Sequence, residues 1–226
     1  MHSRWASQAW AVFRKDVMVE IRTKVNVNAM LFFAGTVLLI FSFALGPDPA
    51  RLRTAAAGLL WLAFIFSGLL TFGRSYQLET ENNAFEGLLL IAENRSAIYA
   101  GKLCGAAAVM LFIEAVILPL MAILFNIDLW RSIPALLLIG VLGTVGFSAI
   151  GALYGALTMA LRAREVLLPL LMLPVTVPVI LGAVKATSYI LAGQRQDVGL
   201  WVEVLVAFDI VFITAGLLLY DSAVSA

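Results

Sequence analysis

Residues Val25 to Leu45 read VNVNAMLFFAGTVLLIFSFAL, and this run contains no Asp, Glu, Lys or Arg. A helix of about 20 residues rises about 30 Å, which matches the thickness of the hydrocarbon core of a bilayer. The run is therefore long enough to cross a membrane as one helix. Similar apolar runs recur along the rest of the chain, so we expect most of the protein to lie in lipid.

The composition predicts the same class of protein. Of the 226 residues, 62% are hydrophobic and 13% are charged, and the mean hydropathy is +1.00. Soluble domains are about half apolar and about a quarter charged. Backbone groups inside lipid must be paired within the protein, which leaves helices and closed barrels. Because the runs are continuous rather than alternating, the sequence predicts an all-α integral membrane protein.

Six apolar segments are candidate transmembrane helices. Gly46-Pro47-Asp48-Pro49 separates the first two, since proline cannot continue a helix. The predicted spans are Val25 to Leu45, Leu52 to Gly73, Tyr99 to Phe125, Ile133 to Leu161, Glu165 to about Ala186, and Leu200 to Tyr220. Residues 1–226 are expected to form a single transmembrane domain.

Two of these spans have unusual compositions. Pro169, Pro174 and Pro178 interrupt the fifth, so residues 178–192 either re-enter from the outer face or continue one kinked span. The fourth contains small residues at helical spacing, which favour close packing in lipid either within the chain or between two copies. These small residues are Thr144, Ser148, Gly151, Ala152, Gly155 and Ala156.

Residues 1–24 are too charged to cross a membrane, but they form an amphipathic helical pattern. We expect an interfacial helix with its basic side toward lipid headgroups. The apolar side holds Trp10, Phe13, Val17 and Ile21, and the basic side holds Arg4, Lys15 and Arg22. The first span that follows is long enough to be an uncleaved anchor rather than a secretory signal.

The distribution of Lys and Arg predicts the orientation, because basic residues are retained in the cytoplasm. With the N-terminus inside, the inner segments hold Arg4, Arg14, Lys15, Arg22, Lys24, Arg74, Arg95, Lys102, Arg162 and Arg164. The outer segments hold Arg51, Arg53, Arg131, Lys185 and Arg195. Ten basic residues against five place both termini in the cytoplasm.

The longest connection, residues 74–98, is cytoplasmic in this orientation and reads as a short amphipathic helix outside the membrane. It carries Glu79, Glu81 and Glu86 beside an apolar cluster. The cluster consists of Phe85, Leu88, Leu89, Leu90 and Ile91. Exposed apolar surface of this kind either docks a cytoplasmic partner or rests on the bilayer.

Two carboxylates, Glu114 in the third span and Asp209 in the sixth, lie far from the ends of their helices. A charged side chain at the bilayer centre costs on the order of 3 kcal/mol. They either form a polar conduit or a substrate contact, or they are protonated or paired structural carboxyl groups at helix interfaces.

Taken in order, the motifs resemble permeases of the ABC-2 exporter type, and within that group the heme exporter protein B family (CcmB) of cytochrome c maturation. The matching stretches run from the N-terminal segment to the fifth span. They are Phe13-Arg14-Lys15-Asp16 with Glu20 and Arg22, Gly46-Pro47-Asp48-Pro49, Gly58-Leu59-Leu60-Trp61, Glu79 to Leu90, and Leu170 to Pro178.

The resemblance implies a bacterial inner-membrane subunit for heme export or handling, without catalytic residues of its own. Residues 74–98 would be a coupling segment that inserts into a separate ABC ATPase subunit, the CcmA-like partner. The other implied partners are CcmC-like and CcmD-like membrane subunits, a CcmE-like heme chaperone and a second copy of this chain. The coupling contacts would come from Glu79, Glu81, Phe85, Glu86, Leu88 and Leu89.

The absence of certain motifs is consistent with a permease whose ATPase is a separate subunit. It has no G-x-x-x-x-G-K-[ST] phosphate-binding loop, so ATP is expected to act through the partner subunit. Its sole histidine is His2 and its sole cysteine is Cys104, which argues against a metal site. If heme is handled, we expect its axial ligands to come from partner subunits. The net charge of +1 does not indicate a nucleic-acid partner.

An alternative function is an ion-coupled secondary transporter or channel in which Glu114 and Asp209 relay protons. The chain is short for that class and shows no inverted repeat. An intramembrane enzyme is disfavoured because the sequence has no nucleophile motif or metal-ligand cluster.

Overall fold

The computed structural model describes residues 2–81, 94–158, 161 and 164–225. Within these ranges the chain forms seven α-helices, a short 3-10 helix at Arg195–Asp197 and no strand. The helices are α1 His2–Thr23, α2 Val25–Leu45, α3 Pro49–Glu81, α4 Arg95–Phe125, α5 Ile133–Thr158, α6 Arg164–Leu191 and α7 Val198–Ser225. The predicted all-α class is confirmed.

Six of these helices, α2 to α7, are long and apolar enough to cross a membrane. The expected first span agrees with α2 at both ends. The other five differ at one or both ends, and on either side of the long connection α3 continues past Gly73 to Glu81 and α4 already begins at Arg95. No proline or glycine lies between Arg74 and Glu81 to stop the helix. The predicted loop is therefore shorter than 74–98, and residues 82–93 lie outside the described part.

The α1–α2 corner is built around the carboxylate of Glu20. Lys24 has a left-handed backbone with φ 54° and separates the two helices. Glu20 accepts hydrogen bonds of 2.8 Å from the Val27 N–H and from the Asn26 side-chain amide. The first turn of a helix has unpaired N–H groups, and this carboxylate pairs one of them at α2.

Glycine and asparagine end two of the spans. Gly46, with φ 71°, follows α2, and its N–H bonds to the Phe43 carbonyl. Asn126 follows α4 with φ 51°. These left-handed residues turn the chain out of the helix, and the short α2–α3 connection places those two helices side by side.

The fifth predicted span forms one helix, α6, which runs through Pro169, Pro174 and Pro178 to Leu191. Of the two alternatives for residues 178–192, the structure has the single span, which continues to Leu191. α6 packs against α3, α5 and α7. Each proline removes only one backbone donor, and neighbouring helices can cover the carbonyl that is left unpaired.

Helix α5 is the most enclosed of the spans and packs against α3, α4, α6 and α7. Its predicted small residues are buried within the chain, including Thr144 and Ser148. The glycines of α5 accept large side chains from its neighbours, with Trp61 of α3 against Gly143 and Phe72 of α3 against Gly151. The sequence left open whether these small residues pack within the chain or between two copies. In the structure they pack within one copy.

Candidate functional site

Two regions of this bundle bring buried polar side chains into contact with neighbouring helices. The first is the α1–α4 junction, where the N-terminal helix lies against the beginning of α4. It is formed by Trp5, Val12 and Asp16 of α1 with Ser96, Gly101, Lys102 and Gly105 of α4. The second is the pair of carboxylates Glu114 and Asp209 beside α5.

The α1–α4 junction contains a buried lysine. The ammonium of Lys102 lies 3.3 Å from the Asp16 carboxylate, and the lysine side chain is 3% exposed. Asp16 also contacts Lys15 at 2.9 Å. An ammonium is costly to bury unless a carboxylate faces it, so this ion pair ties the position of α1 to that of α4.

Two glycines on α4 allow α1 to approach. A Cβ at Gly101 would lie 2.6 Å from the Ala9 carbonyl oxygen, and one at Gly105 would lie 3.2 Å from Asp16 Cβ. Gly101 and Gly105 are four residues apart and so lie on one face of α4. One turn earlier, the Trp5 indole N–H donates a 3.0 Å hydrogen bond to the Ser96 hydroxyl.

The side of α1 that packs inward is not the predicted apolar stripe. Val12 and Glu20 are buried, whereas Trp10 and Ile21 are more than 60% exposed. Within the stripe, Phe13 and Val17 are half-buried, whereas Trp10 and Ile21 face away from the protein, where an interfacial helix contacts lipid. Sequence reasoning missed Asp16 and Lys102 as partners; the Gly101-x-x-x-Gly105 spacing was the available signal.

The beginning of α4 is also held by α5 and α7. Tyr99 is fully buried, and its hydroxyl lies 3.2 Å from the Ala149 carbonyl oxygen and 3.1 Å from that of Phe212. Its ring packs over Gly216 of α7. Arg95 forms an ion pair of 3.1 Å with Asp221 near the end of α7. The first turns of α4 are therefore joined to three other helices.

The predicted coupling residues adjoin this end of the bundle along the chain. Glu79 and Glu81 belong to the last turn of α3, and α4 starts at Arg95. The other four, Phe85, Glu86, Leu88 and Leu89, lie outside the described residues.

The intramembrane carboxylates contact different faces of α5. Glu114, on α4, accepts a 3.3 Å hydrogen bond from the Thr144 hydroxyl and packs on Gly140. Asp209, on α7, packs against Gly146. Both carboxylates are buried. Gly140 and Gly146 are separated by about 9 Å along the axis and about 120° around it, so α5 stands between the two groups.

Methionine thioethers can ligate heme iron, but those of Met110, Met121 and Met172 belong to the packed interior. Met110, Met121 and Met172 are fully buried members of the hydrophobic core, while Cys104 is exposed. No group of three His, Cys, Asp or Glu side chains suited to a metal ion occurs among the described residues. That heme ligands come from partner subunits stays a prediction.

The chain is similar to a family of membrane proteins over almost its whole length. The family model described as "CcmB protein" matches residues 7–225. A protein of Escherichia coli K12 named heme exporter protein B is 31% identical over 78% of this chain and 80% of its own length. Proteins of the same name from Haemophilus influenzae and Bradyrhizobium diazoefficiens are 30% and 26% identical, covering 76% and 91% of this chain and 77% and 92% of their own lengths.

Proposed function

The chain belongs to the CcmB family, and from this membership we propose that it is the permease subunit of an ATP-driven heme exporter used in cytochrome c maturation. It is a multi-pass membrane protein with six candidate spans. The single observation that carries the proposal is the family match over residues 7–225, together with relatives named heme exporter protein B.

We place the protein in the bacterial inner membrane with both termini in the cytoplasm. The support is the excess of Lys and Arg in the segments that would then be inside. In this orientation the α1–α4 junction and the end of α3 lie on the cytoplasmic side, where an ATPase subunit can reach them. Residues 1–226 then act as one permease domain, with 1–24 at the interface and 74–98 as the coupling region.

The ATPase partner is a separate, CcmA-like subunit that docks on the coupling residues Glu79, Glu81, Phe85, Glu86, Leu88 and Leu89. Its movement is passed to α4, because that helix follows the coupling segment along the chain. The α1–α4 junction and the Arg95–Asp221 ion pair make α1 and α7 move with the beginning of α4. The 31 residues of α4 extend about 46 Å, so motion at Arg95 reaches the far side of the membrane.

Heme is the handled ligand in this proposal, and its iron ligands come from CcmC-like, CcmD-like or CcmE-like subunits. Two copies of the permease pair with two ATPase subunits, as the resemblance to ABC exporters implies. The secondary-transporter alternative has less support, because α5 separates the two carboxylates that would form its relay.

The docking proposal is tested by purifying the chain together with its ATPase subunit. Phe85→Ala and Glu86→Lys are expected to weaken association and to reduce the stimulation of ATP hydrolysis by the permease. Glu203→Lys is the matched control, because Glu203 is an exposed residue near the beginning of α7, at the opposite end of the bundle. Unchanged association and hydrolysis in the Phe85 and Glu86 variants would contradict the docking role.

The heme-export role is tested in cells that lack the chain. We expect holo-cytochrome c, detected by heme staining, to disappear while the apocytochrome is still exported. Normal holo-cytochrome c in these cells would refute the proposed function.

A further inference from the structure

A groove of about 740 Å³ lies at the end of the bundle opposite to the α1–α4 junction. It is formed by the last turns of α4, the connection at residues 126–132 and the first turns of α5, with Arg53 of α3 at its edge. Its walls are almost entirely aliphatic and include Leu118, Ala122, Ile127, Leu129, Ile133 and Leu136.

The groove opens sideways onto the surface that faces the membrane. Two of its lining residues, Ile123 and Leu137, are 78% and 50% exposed, as expected for side chains in contact with lipid. Trp130 at its rim is 83% exposed. The Trp130 backbone N–H donates a 3.1 Å hydrogen bond to Asp128 Oδ1. Tryptophan is enriched at the level of lipid headgroups, which places the rim of the groove at the membrane–water interface.

Arg53 supplies a positive charge at this rim, while the carboxylate of Asp128, also in the lining, accepts a hydrogen bond from the Trp130 backbone N–H. Arg51, the neighbour of Arg53, is engaged, because the Arg51 guanidinium lies 3.2 Å from Asp48. In the described part of the chain, no carboxylate forms an ion pair with Arg53. A guanidinium can bind a phosphate through two parallel hydrogen bonds, so Arg53 is suited to an anionic headgroup.

We propose that this groove binds one anionic phospholipid, with its phosphate on Arg53 and an acyl chain along the aliphatic walls. The volume of the groove is within the range of small-molecule sites. It could hold roughly two turns of a helix with side chains, which is too little for a membrane-spanning segment of another protein. The lateral opening lets the lipid enter from the bilayer.

The groove lies between α4 and α5, so a bound lipid affects the spacing of these two helices. Ala115 lines the groove and follows Glu114 directly, while Leu136 lies one turn before Gly140. The Glu114–Gly140 contact therefore lies within about one turn of the groove along both helices. A bound acyl chain holds α4 and α5 at a defined spacing where their side chains leave a gap.

The test uses the full-length chain in nanodiscs made of equal amounts of phosphatidylcholine and phosphatidylglycerol, followed by native mass spectrometry. The wild-type chain is expected to retain one phosphatidylglycerol with about fivefold preference over phosphatidylcholine. Arg53→Gln should retain lipid without preference, and Arg51→Gln, the matched control, should behave like the wild type. Ala122→Phe, which fills the groove, should lose the retained lipid.

The proposal is overturned if Arg53→Gln and Arg51→Gln show the same preference for phosphatidylglycerol over phosphatidylcholine. Full lipid retention by Ala122→Phe also overturns it. A dimer mass without retained lipid, abolished by Ala122→Phe, would assign the groove to a second copy and also overturn it. Displacement of the lipid by added hemin at equal concentration would make the groove a porphyrin site instead. Arg53 is exposed, so the charge variant keeps the test decisive even if Ala122→Phe misfolds.

Discussion

The carboxylate of Asp16 lies 3.3 Å from the ammonium of Lys102, which joins the N-terminal helix to the first turns of α4. The two partners are not equivalent. Lys102 is almost fully buried, whereas Asp16 is 18% exposed and has a second cation, Lys15, at 2.9 Å. This asymmetry leads to a prediction about stability.

We expect Asp16→Ala to destabilise the protein by about 3 kcal/mol, because it takes the carboxylate away from a buried ammonium. Lys102→Met should cost less than about 1 kcal/mol, because Asp16 keeps Lys15 and partial contact with water. Thermal unfolding of the purified chain in mild detergent measures both. Arg51→Ala, which breaks the exposed pair with Asp48 and leaves the Asp48–Ala50 hydrogen bond at the start of α3 in place, is the control. Equal losses in the Asp16 and Lys102 variants would show that burial of the lysine does not govern this contact.

Glycine in α5 is required where the Glu114 carboxylate packs. A Cβ at Gly140 would lie 2.7 Å from the carboxyl carbon of Glu114, so Gly140→Ala should cost about 1–3 kcal/mol. Among the described residues no atom comes within 4 Å of the Cβ position at Gly58. Gly58→Ala, also within a helix, should therefore stabilise by about 0.5–1 kcal/mol. Fluorescence-detected size exclusion after heating compares the two variants. If Gly140→Ala is as stable as Gly58→Ala, the Glu114–Gly140 contact is not tightly packed.

The intramembrane carboxylates are expected to act independently. Glu114→Gln keeps an oxygen that can accept the Thr144 hydroxyl hydrogen bond, and Asp209→Asn keeps the shape of its side chain. Each variant, and the double variant, should support near-normal heme attachment to cytochrome c, with stability changes that add. Heme staining and thermal unfolding measure these effects. Loss of all heme attachment in either single variant would instead favour the proton-relay alternative.

Tyr99 provides a fourth test, because its hydroxyl lies within hydrogen-bonding distance of carbonyls of both α5 and α7. Removing it in Tyr99→Phe leaves the ring in place and should cost about 1 kcal/mol. The half-buried Tyr189 is the matched control, and Tyr189→Phe should change the unfolding temperature less. A larger shift for Tyr189→Phe would mean that the Tyr99 hydrogen bonds do not stabilise the beginning of α4.

At the α1–α4 junction the sequence predicts a close helix contact, but not which residues form it. The Gly101-x-x-x-Gly105 spacing indicates a close helix contact, but it does not identify the partner helix. Amphipathic patterning correctly predicted a helix over residues 1–24, yet the stripe of Trp10 and Ile21 faces outward. With Trp10 and Ile21 facing outward, the polar residues Asp16 and Glu20 lie on the inward side of α1, where they pair with Lys102 and Asn26.

The number and nature of the spans follow from the chain alone, because lipid offers no partners to backbone N–H and C=O groups. Any long apolar run must pair these groups within itself, and this local requirement makes α2 to α7 readable from composition and length. The three prolines of α6 were ambiguous for the same reason, since helices packed beside α6 can cover the unpaired carbonyls and allow the span to continue.

Which groups meet was decided by the packing of helices that are far apart in sequence. Asp16 with Lys102, Glu114 with Gly140 and Asp209 with Gly146 all depend on how each helix is rotated about its axis. Hydropathy is similar on most sides of a span in lipid, so it does not specify that rotation. Glycines and aromatic rings do, because a ring such as that of Trp61 or Tyr99 packs only where the neighbouring helix has no side chain.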